Sequence, residues 1–516
     1  MKHFQRTALL SAINLALIGI PNAQAADNSQ ALEKRIHELE SRLKKFEDLE
    51  SRLEKFEAAT AHQATPVAVA TTPEVEKLNN KINTLERKLE VQDEVTTANS
   101  KRTPIIDAGE GGFRITSADK SHQLRIRGAL QVDNKTFSED NGKLTDTFDL
   151  KQARVWIEGY VFKDIFFKIM PDFAASGNII PDAYIDYAYH PAASLLVGKF
   201  KPAISLERLQ GDSDGTFLER AFPTYLASNR DVGIQLHGGF DFTGHKAEKV
   251  AGPIDTKNQL TYQIGAFNGS GDDGSPNNNA ADTNDNKEFV ARVFAQPFQH
   301  TGYSWVEGLG FGVAGSFSSA NGQALKNQAT PIGRTTYLNY TNTLRAGAAA
   351  PVADGGAYRI YPQAYWYAGP FGLMGEYALS SQRLAGTTSA GKSAVIKQNN
   401  KAWQVLASYV VTGEDNSFGA IKPIQKFDPL NGTWGALQLA ARWTEMNIDN
   451  NTFLFINPNS SAGRASAWTV GANWILNSNA LIRADYENVH FAGGGTTVNQ
   501  NRPTEQVFAT RFQLSF

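Results

Sequence analysis

The chain contains no cysteine. That excludes a disulfide framework, thiolate chemistry and a cysteine behind a leader that could take a lipid anchor, and it suits a protein that crosses an oxidising compartment unfolded. Long apolar runs are missing too. The stretch from 8 to 20 is too short to span a bilayer as a permanent helix, and no run of about 18 or more apolar residues occurs elsewhere. The nine histidines are scattered without metal-ligand spacing, and no nucleophile, base and oxyanion arrangement is visible. No enzyme activity, metal or cofactor is expected. Net charge is only −2, so it indicates neither a nucleic-acid partner nor an ion preference, and only the placement of charges can carry selectivity.

What is present begins with a leader. Lys2 and Arg6 precede the apolar stretch, Pro21 ends it, and Ala23-Gln-Ala25 stands before Ala26-Asp27. This pattern predicts a secretory signal over 1–25, cut after Ala25. Residues 26–100 are expected to be helical and periplasmic. Leu32, Ile36, Leu39, Leu43 and Phe46 step by four and three, and Leu49, Leu53 and Phe56 resume after a three-residue slip, a coiled-coil seam with a stammer. The slip follows from a repeat, Glu40-Ser-Arg-Leu-Lys-Lys-Phe-Glu47 returning as Glu50-Ser-Arg-Leu-Glu-Lys-Phe-Glu57. An Ala/Thr/Pro-rich linker over 58–73 leads to a second seam at Val75, Leu78, Ile82, Leu85 and Leu89. So narrow a stripe buries little alone, so the segment reads as an oligomerisation element; the bland alternative is a solvated charged arm.

From about Phe113 the period changes to two, and turn signals recur at hairpin intervals. The parse gives about sixteen strands, near 122–133, 147–162, 165–172, 182–190, 194–200, 229–238, 259–268, 287–297, 306–318, 357–368, 371–381, 401–412, 434–445, 466–476, 480–490 and 504–516. The last segment puts Phe508, Thr510, Phe512, Leu514 and Phe516 on one face, with Ala509, Arg511, Gln513 and Ser515 on the other. An edge strand of a soluble sandwich would look similar locally; with no helix able to span, the pattern as a whole predicts an all-β transmembrane barrel over 101–516. Even strand parity puts both barrel ends in the periplasm. Lys163-Asp164, His190-Pro191, Gly369-Pro370 and Asn477-Ser478 read as tight periplasmic turns, and 268–286, 319–356 and 446–463 as extracellular loops. Pro362 should force a bulge or a different boundary, because it deletes a ladder donor. The connection 413–433 is long for the periplasmic side.

Alternation also sorts charges. Leu124, Ile126, Leu130 and Val132 face lipid, which sends Arg125, Arg127, Gln131 and Asp133 inward. Arg154, Lys168, Arg292, Arg359, Arg442, Arg483 and Arg511 follow them, since an outward Arg at mid-bilayer costs about 2–4 kcal/mol. Inward carboxylates are Asp133, Glu158, Asp182, Asp186, Glu376, Asp485 and Glu487. The arginines either select anions or pair with these acids as wall structure.

Leu195-Leu-Val-Gly-Lys-Phe-Lys-Pro-Ala-Ile-Ser-Leu-Glu207, Phe217-Leu-Glu-Arg-Ala-Phe-Pro223, Asn229-Arg-Asp-Val-Gly-Ile-Gln-Leu-His-Gly238, Ala183-Tyr-Ile-Asp-Tyr187, Ser408-Tyr-Val-Val-Thr-Gly-Glu-Asp415, Phe427-Asp-Pro429 and Trp434-Gly-Ala-Leu-Gln-Leu-Ala-Ala-Arg-Trp443 resemble the phosphate-selective porin O and P family over most of 113–516. The resemblance implies a homotrimer of sixteen-stranded barrels in the outer membrane of a Gram-negative bacterium, with the loop after the fifth strand, here 201–228, folded inward. Carried over, it makes Lys201, Arg208 and Arg220 constriction candidates and Arg230 a rim candidate, with Glu207, Glu219 and Asp231 as acids that could hold the loop instead. Lys151-Gln-Ala-Arg154 departs from an arginine-richer run expected in phosphate-specific members, and a hydrated Lys does not replace a bidentate Arg at an oxyanion. The sequence therefore points to a diffusion channel for small anionic solutes, phosphate, polyphosphate or organic carboxylates, with Arg125, Arg127, Arg154, Lys201, Arg208, Arg220, Arg230 and Arg442 as pore candidates. Two rivals stand beside it: a general or organic-solute porin of the same fold, and an envelope tether whose coiled coil contacts the cell wall.

Overall fold

The computed structural model describes residues 77, 80–91, 103–138, 144–175, 179–269, 285–497 and 500–516. The expected signal, the first coiled-coil block and the linker lie outside the described residues. The chain divides into two compact units, 1–94 and 95–516. In the first, residues 80–91 are helical, and the seam positions Ile82, Leu85 and Leu89 are exposed along it.

The second unit is built on one sheet of eighteen strands. A hairpin of β1 (Ile105–Gly109) and β2 (Gly112–Thr116) comes first. Sixteen strands then close a barrel: β3 (Gln123–Ser138), β4 (Thr147–Val161), β5 (Ile165–Met170), β6 (Asp182–His190), β7 (Ala193–Phe200), β8 (Asp231–Phe240), β9 (Leu260–Phe267), β10 (Glu288–Ala295), β11 (Gly308–Ala324), β14 (Val352–Ala368), β15 (Phe371–Thr387), β16 (Ser393–Val410), β17 (Ala436–Asn447), β18 (Ala462–Ile475), β19 (Ala480–Gly493) and β20 (Glu505–Ser515). Between β11 and β14, the short β12 (Gln328–Ala329) and β13 (Thr336–Leu338) pair with each other inside a loop. Every barrel pairing is antiparallel between sequence neighbours, and β20 returns to β3. Phe516 N–H donates to the Gly128 carbonyl at 2.9 Å, and Gly128 N–H donates back to the Phe516 carbonyl at 2.8 Å. The terminal residue is thus the last rung of the closure, which leaves no free edge.

The predicted facing holds. Ile126, Leu130, Val405, Tyr409, Val470, Phe508, Phe512 and Leu514 are exposed on the outer wall, whereas Gln131, Asp133, Arg154, Arg292, Arg359, Arg442, Arg483 and Arg511 are buried in the lumen. Among the described residues no helix is long and apolar enough to cross a membrane. At the end of the barrel that carries the Gly369-Pro370 turn, the outer wall exposes Tyr187, Tyr189, Trp305, Phe371 and Trp434. There Trp474 Nε1 donates to the Trp434 carbonyl and Trp366 Nε1 to the Trp305 carbonyl, each at 2.7 Å. Rings with an apolar body and a satisfied polar tip are what a bilayer interface selects.

Wall height is uneven. β5 has six residues and β7, β9 and β10 eight each, while β11, β14 and β15 have seventeen and β16 eighteen. At Pro362 the β14–β15 ladder passes over two residues and resumes in the same register, Ile360↔Leu379 and then Gln363↔Glu376; the irregularity falls instead between Ala353 and Ala357. The missing donor opens the ladder without shifting it. The long connection 411–435 folds back towards the lumen, where Phe418 stacks on Tyr365 with centroids 5.3 Å apart.

One motif glycine has a clear cause. Gly198, in Leu-Val-Gly-Lys of β7, has φ +136, and a Cβ there would overlap the Ala183 carbonyl oxygen and the Tyr184 backbone. Gly198→Val therefore costs about 3 kcal/mol or more through strain and overlap. Little heat-modifiable folded protein is expected in the outer-membrane fraction; a wild-type yield would show that β6 and β7 can separate cheaply.

Candidate functional site

The loop between β7 and β8 does not project outward. Residues 201–230 turn into the lumen, carry two single-turn helices, α1 (Leu206–Leu209) and α2 (Pro223–Leu226), and are almost continuously buried. The far wall holds this loop by its backbone. Glu376 accepts from Leu206 N–H at 2.9 Å and Asp485 from Leu218 N–H at 2.7 Å. Gln363 donates to the Ile204 carbonyl, Arg483 to Phe217 and Asn473 to Thr216, at 2.9–3.0 Å. Where the loop is buried against the wall its backbone groups need partners, and inward side chains of β14 to β19 supply them.

A second loop seals the same side. Tyr337, Leu338 and Tyr340, from the connection carrying β12 and β13, pack with Phe222, Tyr225 and Leu226 in one buried apolar cluster, which also takes in Phe455 and Ile456. The loop expected to be extracellular at 319–356 therefore closes part of the mouth. Towards β4 the contacts of the inward loop are ionic. Lys151 pairs with Glu219, and Arg154 pairs with Asp212.

Asp212 is the hub of this arrangement. Its Oδ1 takes Arg220 and, at 3.3 Å, Lys201; its Oδ2 takes Arg154 and, at 3.4 Å, Arg230. Arg154 also holds Asp172 at 2.7 Å, and Arg230 shares Asp182 with Lys168 at 2.6 and 3.6 Å. Below the hub lies a chamber of about 360 Å³, lined among others by Arg125, Arg127, Lys168 and Arg483 with Asp212 and Asp214. Its floor includes Gly111 at the tip of the β1–β2 hairpin, whose carbonyl accepts from Arg125 Nε at 2.7 Å. Arg127 donates to Glu158 through Nε and Nη2, at 2.9 and 3.0 Å, and its guanidinium lies over Trp156.

The eight sequence candidates thus separate. Arg154, Lys201, Arg220 and Arg230 converge on one carboxylate, and Arg125 and Arg127 meet at Glu158 below them. Arg208 is not in that group. It is buried within the loop, donating to Asn229 Oδ1 at 2.7 Å and to the Thr224 carbonyl at 2.6 Å, so it ties the two halves together. Arg442, fully buried on β17, holds Glu207 at 3.3 Å and Glu487 at 3.5 Å. Of the acids expected to hold the loop, Glu207 does so through Arg442 and the Ala221 N–H. Glu219 instead takes Lys151 and Arg334, and Asp231 accepts from Gly269 N–H at 2.7 Å. Asp212 itself stands in Gly211-Asp-Ser-Asp-Gly215, which reads in sequence as an exposed acidic turn.

Exposure within these clusters is unequal: Arg154 and Arg230 are as covered as the acids they hold, whereas five other cations are more open than theirs. Arg125 and Arg127 keep 28 % and 33 % of their side-chain surface open while their partner Glu158 keeps 9 %. Lys151 and Arg334 keep 25 % and 50 % against 9 % for Glu219, and Arg220 keeps 28 % against 10 % for Asp212. At Glu158 and Glu219 the carboxylate stands behind and its cations face the water, and at Asp212 only Arg220 does so. Among the described residues no cluster of His, Asp or Glu is placed to hold a metal.

No curated protein matches the chain. Several solved structures are similar to it. OmpT of Vibrio cholerae, in a trimer form, is 11% identical, with 77% of this chain and 100% of that one covered and a TM-score of 0.44. The outer membrane channel DcaP of Acinetobacter baumannii is also 11% identical, covering 79% and 100% with a TM-score of 0.45. An anion-selective porin from Comamonas acidovorans is 9% identical, covering 77% and 100% with a TM-score of 0.44. The model of one protein family matches residues 124–516, from the first barrel strand to the last residue. That match covers most of the closed sixteen-stranded barrel, and the chain belongs to the family of phosphate-selective porins O and P.

Proposed function

We propose that this outer-membrane channel prefers anions, and that it passes small oxyanions such as phosphate or organic carboxylates. The observation that carries the reading is the unequal exposure of the lumen clusters. A pair buried edge-on would cancel its own field, but at Glu158 and Glu219 the solute meets the guanidinium or ammonium before the carboxylate. Fixed cations in a narrow lumen replace part of the hydration shell of an anion, and they raise the barrier for a cation by the same field. Pairing keeps each site weak enough to release what it binds, as conduction requires. Arg125, Arg127 and Arg220 line the path directly; Arg154, Lys201 and Arg230 fix Asp212, and Arg208 and Arg442 fix the loop. Reversal potential across a planar bilayer in a potassium chloride gradient tests the reading: an anion-signed potential is expected, and a potential of zero would make this a general porin of the same fold.

The channel works as a trimer in this proposal, with the N-terminal helices bundled in the periplasm. The exposed seam at Ile82, Leu85 and Leu89 is the motivation, since such a stripe is buried only against other helices. Deleting 29–95 should leave a trimeric barrel that dissociates at lower temperature. A full-length protein that runs as a monomer in mild detergent would sink the idea.

A further inference from the structure

Two local irregularities converge on one carboxylate. Between β3 and β4 the register slips, Gln131↔Gln152 being followed by Val132↔Leu150, so Lys151 is the extra residue of a β-bulge. Strict alternation would turn Lys151 to the lipid face; the bulge turns it into the lumen, where its ammonium pairs with Glu219 Oε1. On the second inward loop Arg334 has φ +59, a left-handed conformation that is costly for an arginine. Its guanidinium reaches Glu219 Oε2 at 3.5 Å and the Tyr225 hydroxyl at 3.3 Å. One carboxylate thus sits with each oxygen on a different cation, and both cations remain open to water. A permeating carboxylate or phosphate offers two oxygens on one centre in the same way.

We propose that Lys151 and Arg334 form an oxyanion-binding station in the extracellular half of the lumen, and that Glu219 is a tethered stand-in for the solute. An arriving oxyanion takes the two cations and pushes the Glu219 carboxylate aside; when the anion moves on, Glu219 returns and completes its release. A competitor fixed to the loop has a constant local concentration, so it sets how tightly the station can hold any solute. This inference rests on the anion-channel reading and adds to it a location, a ligand class and a reason for fast release.

The test is the single-channel conductance of the full chain as a function of concentration, with inorganic phosphate in one series and acetate in another. Glu219→Gln removes the competing charge while keeping the shape. The half-saturating concentration should fall about fivefold in both series, the change that about 1 kcal/mol of lost competition produces. A half-saturating concentration that stays put or rises, in a variant whose heat stability matches wild type, overturns the proposal. A second variant, Lys151→Gln with Arg334→Gln, decides the matter even if Glu219→Gln fails to fold: saturation should disappear over the same range, and a wild-type curve overturns the station. Wild-type reversal potential keeps the two ideas apart. Loss of anion preference there removes the channel reading, whereas retained preference with unaltered saturation removes only the role of Glu219.

Discussion

Replacing Arg125, Arg127 and Arg220 together with alanine is expected to abolish the anion-signed reversal potential and to drive it towards the cation side. These three side chains are the open members of their clusters, and their partners are the largely covered carboxylates of Glu158 and Asp212. Removing the cations does more than subtract positive charge, because it uncovers negative charge behind it. At an effective dielectric of about 20, a unit charge 4 Å from a passing ion contributes about 4 kcal/mol before desolvation. Each tenfold in permeability takes only about 1.4 kcal/mol, so even heavy screening leaves an expected drop of about tenfold in the anion-to-cation ratio. The measurement is the bilayer reversal potential in a salt gradient, at low and high ionic strength. A ratio unchanged at both would show that these residues are wall structure and that selectivity arises elsewhere. Neutralising Arg442 should not mimic the effect, because that side chain is enclosed between the far wall and the loop.

Asp212→Asn should be the most damaging single substitution in the lumen. Four cations from β4, from both ends of the inward loop and from its middle share this one carboxylate. Taking its charge away leaves them confronting one another, with Asp172 paired to Arg154 and Asp182 to Arg230, and breaking a buried ionic arrangement by losing one partner costs about 3–5 kcal/mol. The temperature at which the folded form converts in semi-native gels should fall by about 5–10 °C. Open-channel current should become noisy as the loop loses its anchor near Lys201. Asp212→Glu, which keeps the charge, should restore most of the stability. Wild-type heat resistance in the Asn variant would mean that the backbone ties to Glu376 and Asp485 alone hold the loop.

The barrel was legible because lipid enforces a rule on every second residue. About sixteen strands follow from alternation and turn signals, and the inward set, including Arg154, Arg292, Arg442 and Arg511, from alternation. The same rule fails where lipid ends. β15 runs to Thr387 and β16 begins at Ser393, well beyond the stretches 371–381 and 401–412 that the pattern marks, because Gln382, Arg383, Lys397 and Asn399 stand where no bilayer penalises a polar side chain. It fails again at Lys151, where one extra residue reverses the facing. The β1–β2 hairpin went unread because its strands of five residues are too short to display a period. Partners were the least legible part. Arg511 finds Asp133 across 378 positions of sequence, and Asp212 finds four cations from inside a turn whose composition suggests water. Period marks the face of a strand residue; it has nothing to say about a loop that re-enters the lumen.

The uneven wall has a consequence for the surrounding lipid. A tilted strand needs about 9–11 residues to match the hydrocarbon thickness, and β5, β7, β9 and β10 fall short of that. A lone barrel would therefore pull the bilayer thin along one flank and leave it relaxed along the other. Each ångström of such mismatch costs a fraction of a kcal/mol, a tax that grows with the perimeter over which it is paid. Copies that turn their short flanks towards one another replace deformed lipid with protein, so elastic strain in the membrane itself becomes a force that sorts these barrels into clusters and orients them within each one.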